Sequence, residues 1–116
     1  MDNESRRNAA LYDTLVLTLE CRVANLSHLL SGRTLVDKGR RFDLELETRS
    51  SEGMFISAIE KCDRPLSHNE EGTVVLRAAI PKTYSASFVE GSRVKLRDGQ
   101  YVIADCRVVK AERAPS

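Results

Sequence analysis

An apolar residue at every second position is the strongest constraint this chain carries. Leu15, Leu17, Leu19, Cys21 and Val23 alternate with Val16, Thr18, Glu20 and Arg22. Phe42, Leu44, Leu46 and Thr48 alternate with Asp43, Glu45, Glu47 and Arg49. Successive side chains of a strand point to opposite faces, so this rhythm describes strands with one face in a core and one in water. A helical reading through Leu11, Leu15, Leu19, Leu26 and Leu30 overlaps the first run. The interleaved β-branched Thr and Val fit a pleated surface better.

The pattern recurs downstream. Met54 to Ile59 reads as a short strand. Val74, Leu76, Ala78 and Ile80 line one side of a strand that Pro81, which lacks an N–H, brings to an end. Val94 and Leu96 alternate with Arg93, Lys95 and Arg97; Asp98-Gly99 then signals a type I′ hairpin turn, both central residues having positive φ. The expected return strand points Val102, Ala104, Cys106 and Val108 inward and Tyr101, Asp105 and Arg107 outward. Turn chemistry marks residues 31–33, 37–39, 50–53 and 90–92, and the polar stretch 63–72 with Pro65 reads as a loop. About six short strands without a long helix predict an all-β fold: a small six-stranded antiparallel, Greek-key-like barrel, closed so that no edge is left free. At 116 residues there is one core. The barrel is expected over 12–110, with a flexible N-terminal arm over 1–11 and a tail over 111–116.

Composition removes several functional classes. With 18 Lys or Arg against 17 Asp or Glu the net charge is +1, so the chain is no polycation. Nothing resembles an 18-residue apolar span, and the N-terminus lacks the basic-then-apolar order of a signal peptide, which makes the cytoplasm the default location. Cys21, Cys62 and Cys106 are odd in number and nowhere spaced as C-x-x-C; His28 and His68 stand apart from them. Neither a disulfide framework nor a metal site is expected, and no cofactor. Ser27-His28 and Ser67-His68 are chain neighbours, which rarely face each other as nucleophile and base, so no catalysis is expected.

The charges are unevenly placed. Residues 72–116 carry eight Lys or Arg against four acids, a net of +4, while residues 1–71 carry a net of −3. Arg93, Lys95 and Arg97 share one strand face, and Arg107 lies across the hairpin from them. Cations about 6.5–7 Å apart along a strand suit the phosphates of an RNA backbone, so these four residues are the candidate binding face for structured RNA or an acidic protein. Only Tyr101 is available there as a stacking platform. The acidic stripe Asp43, Glu45, Glu47 repels itself and requires cations across the ladder, for which Arg22 and Arg49 are the candidates.

The segment Glu90-Gly91-Ser92-Arg93-Val94-Lys95-Leu96-Arg97-Asp98-Gly99 resembles the E-G-x-R-hydrophobic-x-hydrophobic-R-acidic-G segment of the C-terminal β-barrel domain of elongation factor Tu and related translational GTPases. Gly72 stands where that family opens the preceding strand, and Ile80-Pro81 resembles the end of that strand. The closing strand departs from the family at Ile103 and Asp105, where small residues are usual. No G-x-x-x-x-G-K-[ST] occurs, so there is no phosphate cradle and no nucleotide hydrolysis. The resemblance implies a non-catalytic, translation-factor-like binding module for a protein or structured RNA, or a decoy that copies the factor's barrel to engage the factor's own partners. Arg40-Arg41 also resembles the double arginine of PilZ receptors for cyclic dinucleotides, but the D-x-S-x-x-G element of that family is matched only by Arg49-Ser50-Ser51-Glu52-Gly53, without its aspartate.

Overall fold

The computed structural model describes residues 14–24, 34–47, 54–67, 69–99 and 101–113. The expected arm over 1–11 and the turn at 31–33 lie outside these residues. Among the described residues eight strands follow in order: β1 (Thr14–Ala24), β2 (Thr34–Val36), β3 (Arg41–Leu46), β4 (Phe55–Cys62), β5 (Leu66–Ser67), β6 (Gly72–Pro81), β7 (Arg93–Asp98) and β8 (Tyr101–Arg113). A 3-10 segment, Lys82–Ser87, joins β6 to β7. Six of the strands close into an antiparallel barrel in the order β1-β6-β4-β3-β7-β8, with β8 back beside β1. β3, β4 and β6 are consecutive neighbours, and β7 returns across the barrel to lie beside β3, which is a Greek key.

The alternation read from sequence is what fills the barrel. Leu17, Leu19, Cys21 and Val23 of β1 point inward with Phe42, Leu44 and Leu46 of β3, and all of them are buried. Leu76, Ala78 and Ile80 of β6 and Leu96 of β7 meet them in one continuous core. At roughly 25 cal/mol per Å² of apolar surface removed from water, each buried Leu contributes about 2 kcal/mol, and this inward face, not ladder hydrogen bonding alone, holds the register. Among the described residues the buried hydroxyl is Oγ of Ser57, which donates to the Phe42 carbonyl at 2.8 Å, so it is not left unpaired.

Two small structures stop the open ends. β2 and β5, which sequence alone leaves inside loops, form a two-stranded ribbon whose Val36 and Leu66 join the core. Two or three residues are too short for a periodic signal, which is why the ribbon is invisible before folding. A Cβ at Gly72 would stand 3.0 Å from a methyl of Leu66, so the glycine lets this plug sit down against β6. At the other end Phe55 packs against Tyr84 and, edge-on, against Phe88, with ring centroids 5.3 and 5.8 Å away.

Three expectations about the last hairpin change. Asp98 pairs with Tyr101, so Asp98 belongs to the ladder and not to the turn expected at Asp98-Gly99; Gly99 has φ +61°. The phase of β8 also shifts. Leu96 pairs with Ala104 but Arg97 with Val102, so Ile103 is an extra residue in β8. That bulge turns Ile103 inward, at 3% exposure, and Val102 outward, at 37%. Finally, β8 runs to Arg113, past the expected barrel limit at 110. Among the described residues no helix is long and apolar enough to cross a membrane.

A candidate anion-binding face

β3, β7, β8 and β1 are consecutive in the barrel wall, and their registers sort the outward charges into rows that run across the strands. In one row Asp43 of β3 is opposite Arg97 of β7. In the next, Glu45 is opposite Lys95, and Lys95 is opposite Asp105 of β8. Charges alternate in sign in both rows, which is the arrangement a ladder favours. The acidic stripe of β3 is therefore answered by β7. This corrects the expectation that Arg22 and Arg49 serve it: Arg22 lies across the wall on β1, and Arg49 lies outside the described residues.

Arg97 also reaches diagonally to Glu45. Nη1 of Arg97 donates to Oε2 of Glu45 at 3.1 Å, and Glu45 is only 9% exposed despite facing outward. The Arg97 side chain is itself only 23% exposed. Arg97 is thus committed to the barrel wall more than to solvent.

The third row breaks the rule. Arg93 of β7 is directly opposite Arg107 of β8, and Arg107 is directly opposite Arg22 of β1. Three arginines stand side by side on three adjacent strands, with backbones about 4.8 Å apart. Like charges directly opposite each other are destabilising. Arg22 is partly relieved: its Nη2 reaches Oε1 of Glu71 at 3.1 Å and its Nη1 approaches Oγ1 of Thr73 at 3.5 Å. Arg93 and Arg107 are exposed and have no ion-pair partner among the described residues. The row borders an open depression of about 390 Å³, whose rim includes Lys95 and also the acids Glu47 and Asp105.

Of the four residues singled out in the sequence, Arg93, Lys95 and Arg107 therefore meet around one depression, while Arg97 turns away to Glu45. Sequence reasoning missed Arg22. It sits 71 residues before Arg93, and only the pairing of β1 with β8 makes them neighbours. The double arginine of the alternative reading is divided. Arg40 stacks on Phe42 at 5.3 Å, and Arg41 is exposed on β3 beside a smaller depression; the segment expected to complete that site lies outside the described residues.

Burial raises the thiol of Cys21 to about 12, with Glu20 adding to it, and raises that of Cys106 well above its ordinary 9.0, with Cys21 and Asp105 adding to it. Both thiols face the core as neutral, unreactive groups. Among the described residues no three His, Cys, Asp or Glu side chains converge as a metal site.

The fold and face together define a small six-stranded antiparallel β-barrel with an arginine-lined depression in its wall. No family model matches the chain, and neither curated proteins nor solved structures give a significant match.

Proposed function

We propose that the barrel is a non-catalytic binding module that holds structured RNA by its phosphate backbone, through Arg93, Lys95 and Arg107 with Arg22 beside them. The observation that carries this is the like-charged row. On the same face Arg97 and Lys95 of β7 each stand opposite an acid across the ladder, whereas Arg93, Arg107 and Arg22 face one another. An arrangement that weakens the free barrel is offset when an anion settles between the guanidinium groups, and arginine's planar fork suits phosphate. The likeness of Glu90–Gly99 to the translation-factor barrel supports the same reading, since that barrel contributes to binding tRNA and protein partners in the full-length factors.

Fluorescence anisotropy with a labelled RNA hairpin, measured across a salt series, tests the proposal. Wild-type affinity falls steeply with salt, and an Arg93→Ala, Arg107→Ala double change weakens binding and lowers the slope of log K against log salt by about 1–2. Arg97 is left intact because it is paired with Glu45. Equal affinity and slope in wild type and variant would remove RNA from this face. Loss of a captured acidic protein on the same double change would then favour a protein partner.

A further inference from the structure

β8 is 13 residues long and β7 only six, so β8 outruns its neighbour. The β7 ladder ends at Arg93 opposite Arg107, and two backbone bonds, Gly91 N–H to the Val108 carbonyl and Val108 N–H to the Ser92 carbonyl, mark the last tie on that side. Beyond Val108 a bulge leaves Val109 without a partner on β1, and Lys110–Arg113 then continue with β1 alone, Ala111 opposite Leu19 and Arg113 opposite Leu17. Among the described residues no strand pairs with the other edge of residues 109–113. That edge borders a depression of about 280 Å³, between Val109–Ala111 and the Phe88–Glu90 loop. Val89 and Val109 are both exposed beside it. An unpaired, extended edge with apolar neighbours is a template for another strand.

The sequence of the edge says which strand fits. Val109-Lys110-Ala111-Glu112-Arg113 has a cation and an anion placed symmetrically about Ala111. Antiparallel pairing with itself, centred on Ala111, sets Lys110 opposite Glu112 of the second copy and Glu112 opposite its Lys110. A register shifted by one residue either way loses both matches. Shifted by two, it places lysine opposite lysine or glutamate opposite glutamate, which ladders disfavour. Within one chain Lys110 and Glu112 already contact each other at 2.8 Å, but both are exposed, and an exposed pair is given up at little cost.

We propose that residues 109–113 of β8 form a self-complementary edge through which two copies of this chain associate with two-fold symmetry, joining their barrel walls into one continuous sheet. The interface is small, so the dimer is a weak one that forms at high protein concentration.

Sedimentation equilibrium of the full chain and two charge variants tests it. Wild type shows concentration-dependent dimerisation. Lys110→Glu leaves only acids, and Glu112→Lys only bases, at the two matching positions; each weakens self-association about tenfold or more. Mixing the two variants restores a dimer of wild-type strength, because each presents what the other lacks. Both changes lie on exposed side chains, and circular dichroism verifies the fold of each variant. A wild type that stays monomeric at the highest concentration overturns the proposal. So does a dimer indifferent to either single change, or a mixture that fails to associate.

Discussion

Arg97 and Arg93 sit on the same face of β7, yet losing them has opposite consequences. Removing Arg97 deprives the carboxylate of Glu45, 9% exposed, of its guanidinium hydrogen bond. Arg97→Ala is expected to cost about 1–3 kcal/mol in urea unfolding, the penalty of an under-solvated acceptor. A loss below about 0.5 kcal/mol would mean that water replaces the guanidinium freely. Arg93→Ala removes one member of a repelling pair with Arg107, so its expected effect on the same curve is neutral or slightly stabilising. Stability given up at a position while a contact surface is gained is the usual trade at a binding site.

The segment between β4 and β6 shows how much one side chain can organise. Glu70 accepts the Ser67 backbone N–H at 2.8 Å and a guanidinium hydrogen bond from Arg64, which together hold its carboxyl below the ordinary 4.5, the backbone bond contributing most. A carboxyl depressed in the folded state contributes stability above its unfolded value and loses it as pH falls through the folded one. Acidification through the region below 4.5 is therefore expected to loosen the β5 turn while the barrel persists. The Ser67 amide resonance should titrate with that inflection, and Glu70→Gln should abolish it; an inflection at or above 4.5 would contradict the geometry. The same segment marks where sequence reading stops. Barrel strands announced themselves because Leu15–Val23 or Phe42–Leu46 repeat over enough positions to set a period. β5 has two residues and β2 three, and their pairing spans some thirty residues of chain. The extra residue at Ile103 is equally silent, since Val102-Ile103-Ala104 is apolar in either phase. For the site, the spacing of Arg93, Lys95 and Arg97 was legible within β7. What divides Arg97 from the others, and brings Arg22 to them, is the lateral register of four strands, which local pattern does not encode.

At the scale of the whole barrel, the thiols report closure. Cys21 and Cys106 face the core and are held protonated by burial, whereas Cys62 at the end of β4 is only half-buried, with its sulfur 3.7 Å from Asp37. Native protein at pH 8 is expected to take up iodoacetamide at Cys62 alone, and at all three cysteines once unfolded in urea; rapid labelling of Cys106 without denaturant would show that the wall opens between β8 and its neighbours. That wall has a seam joining the earliest barrel strand to the latest, since β1 is hydrogen-bonded to β8 across nearly ninety residues of chain. A ribosome must therefore have extruded Arg113 before the cylinder can be zipped shut. Until then the apolar side of β1 stays uncovered along one flank, so maturation is slow, late and exposed to chaperones, whatever the finished tube goes on to hold.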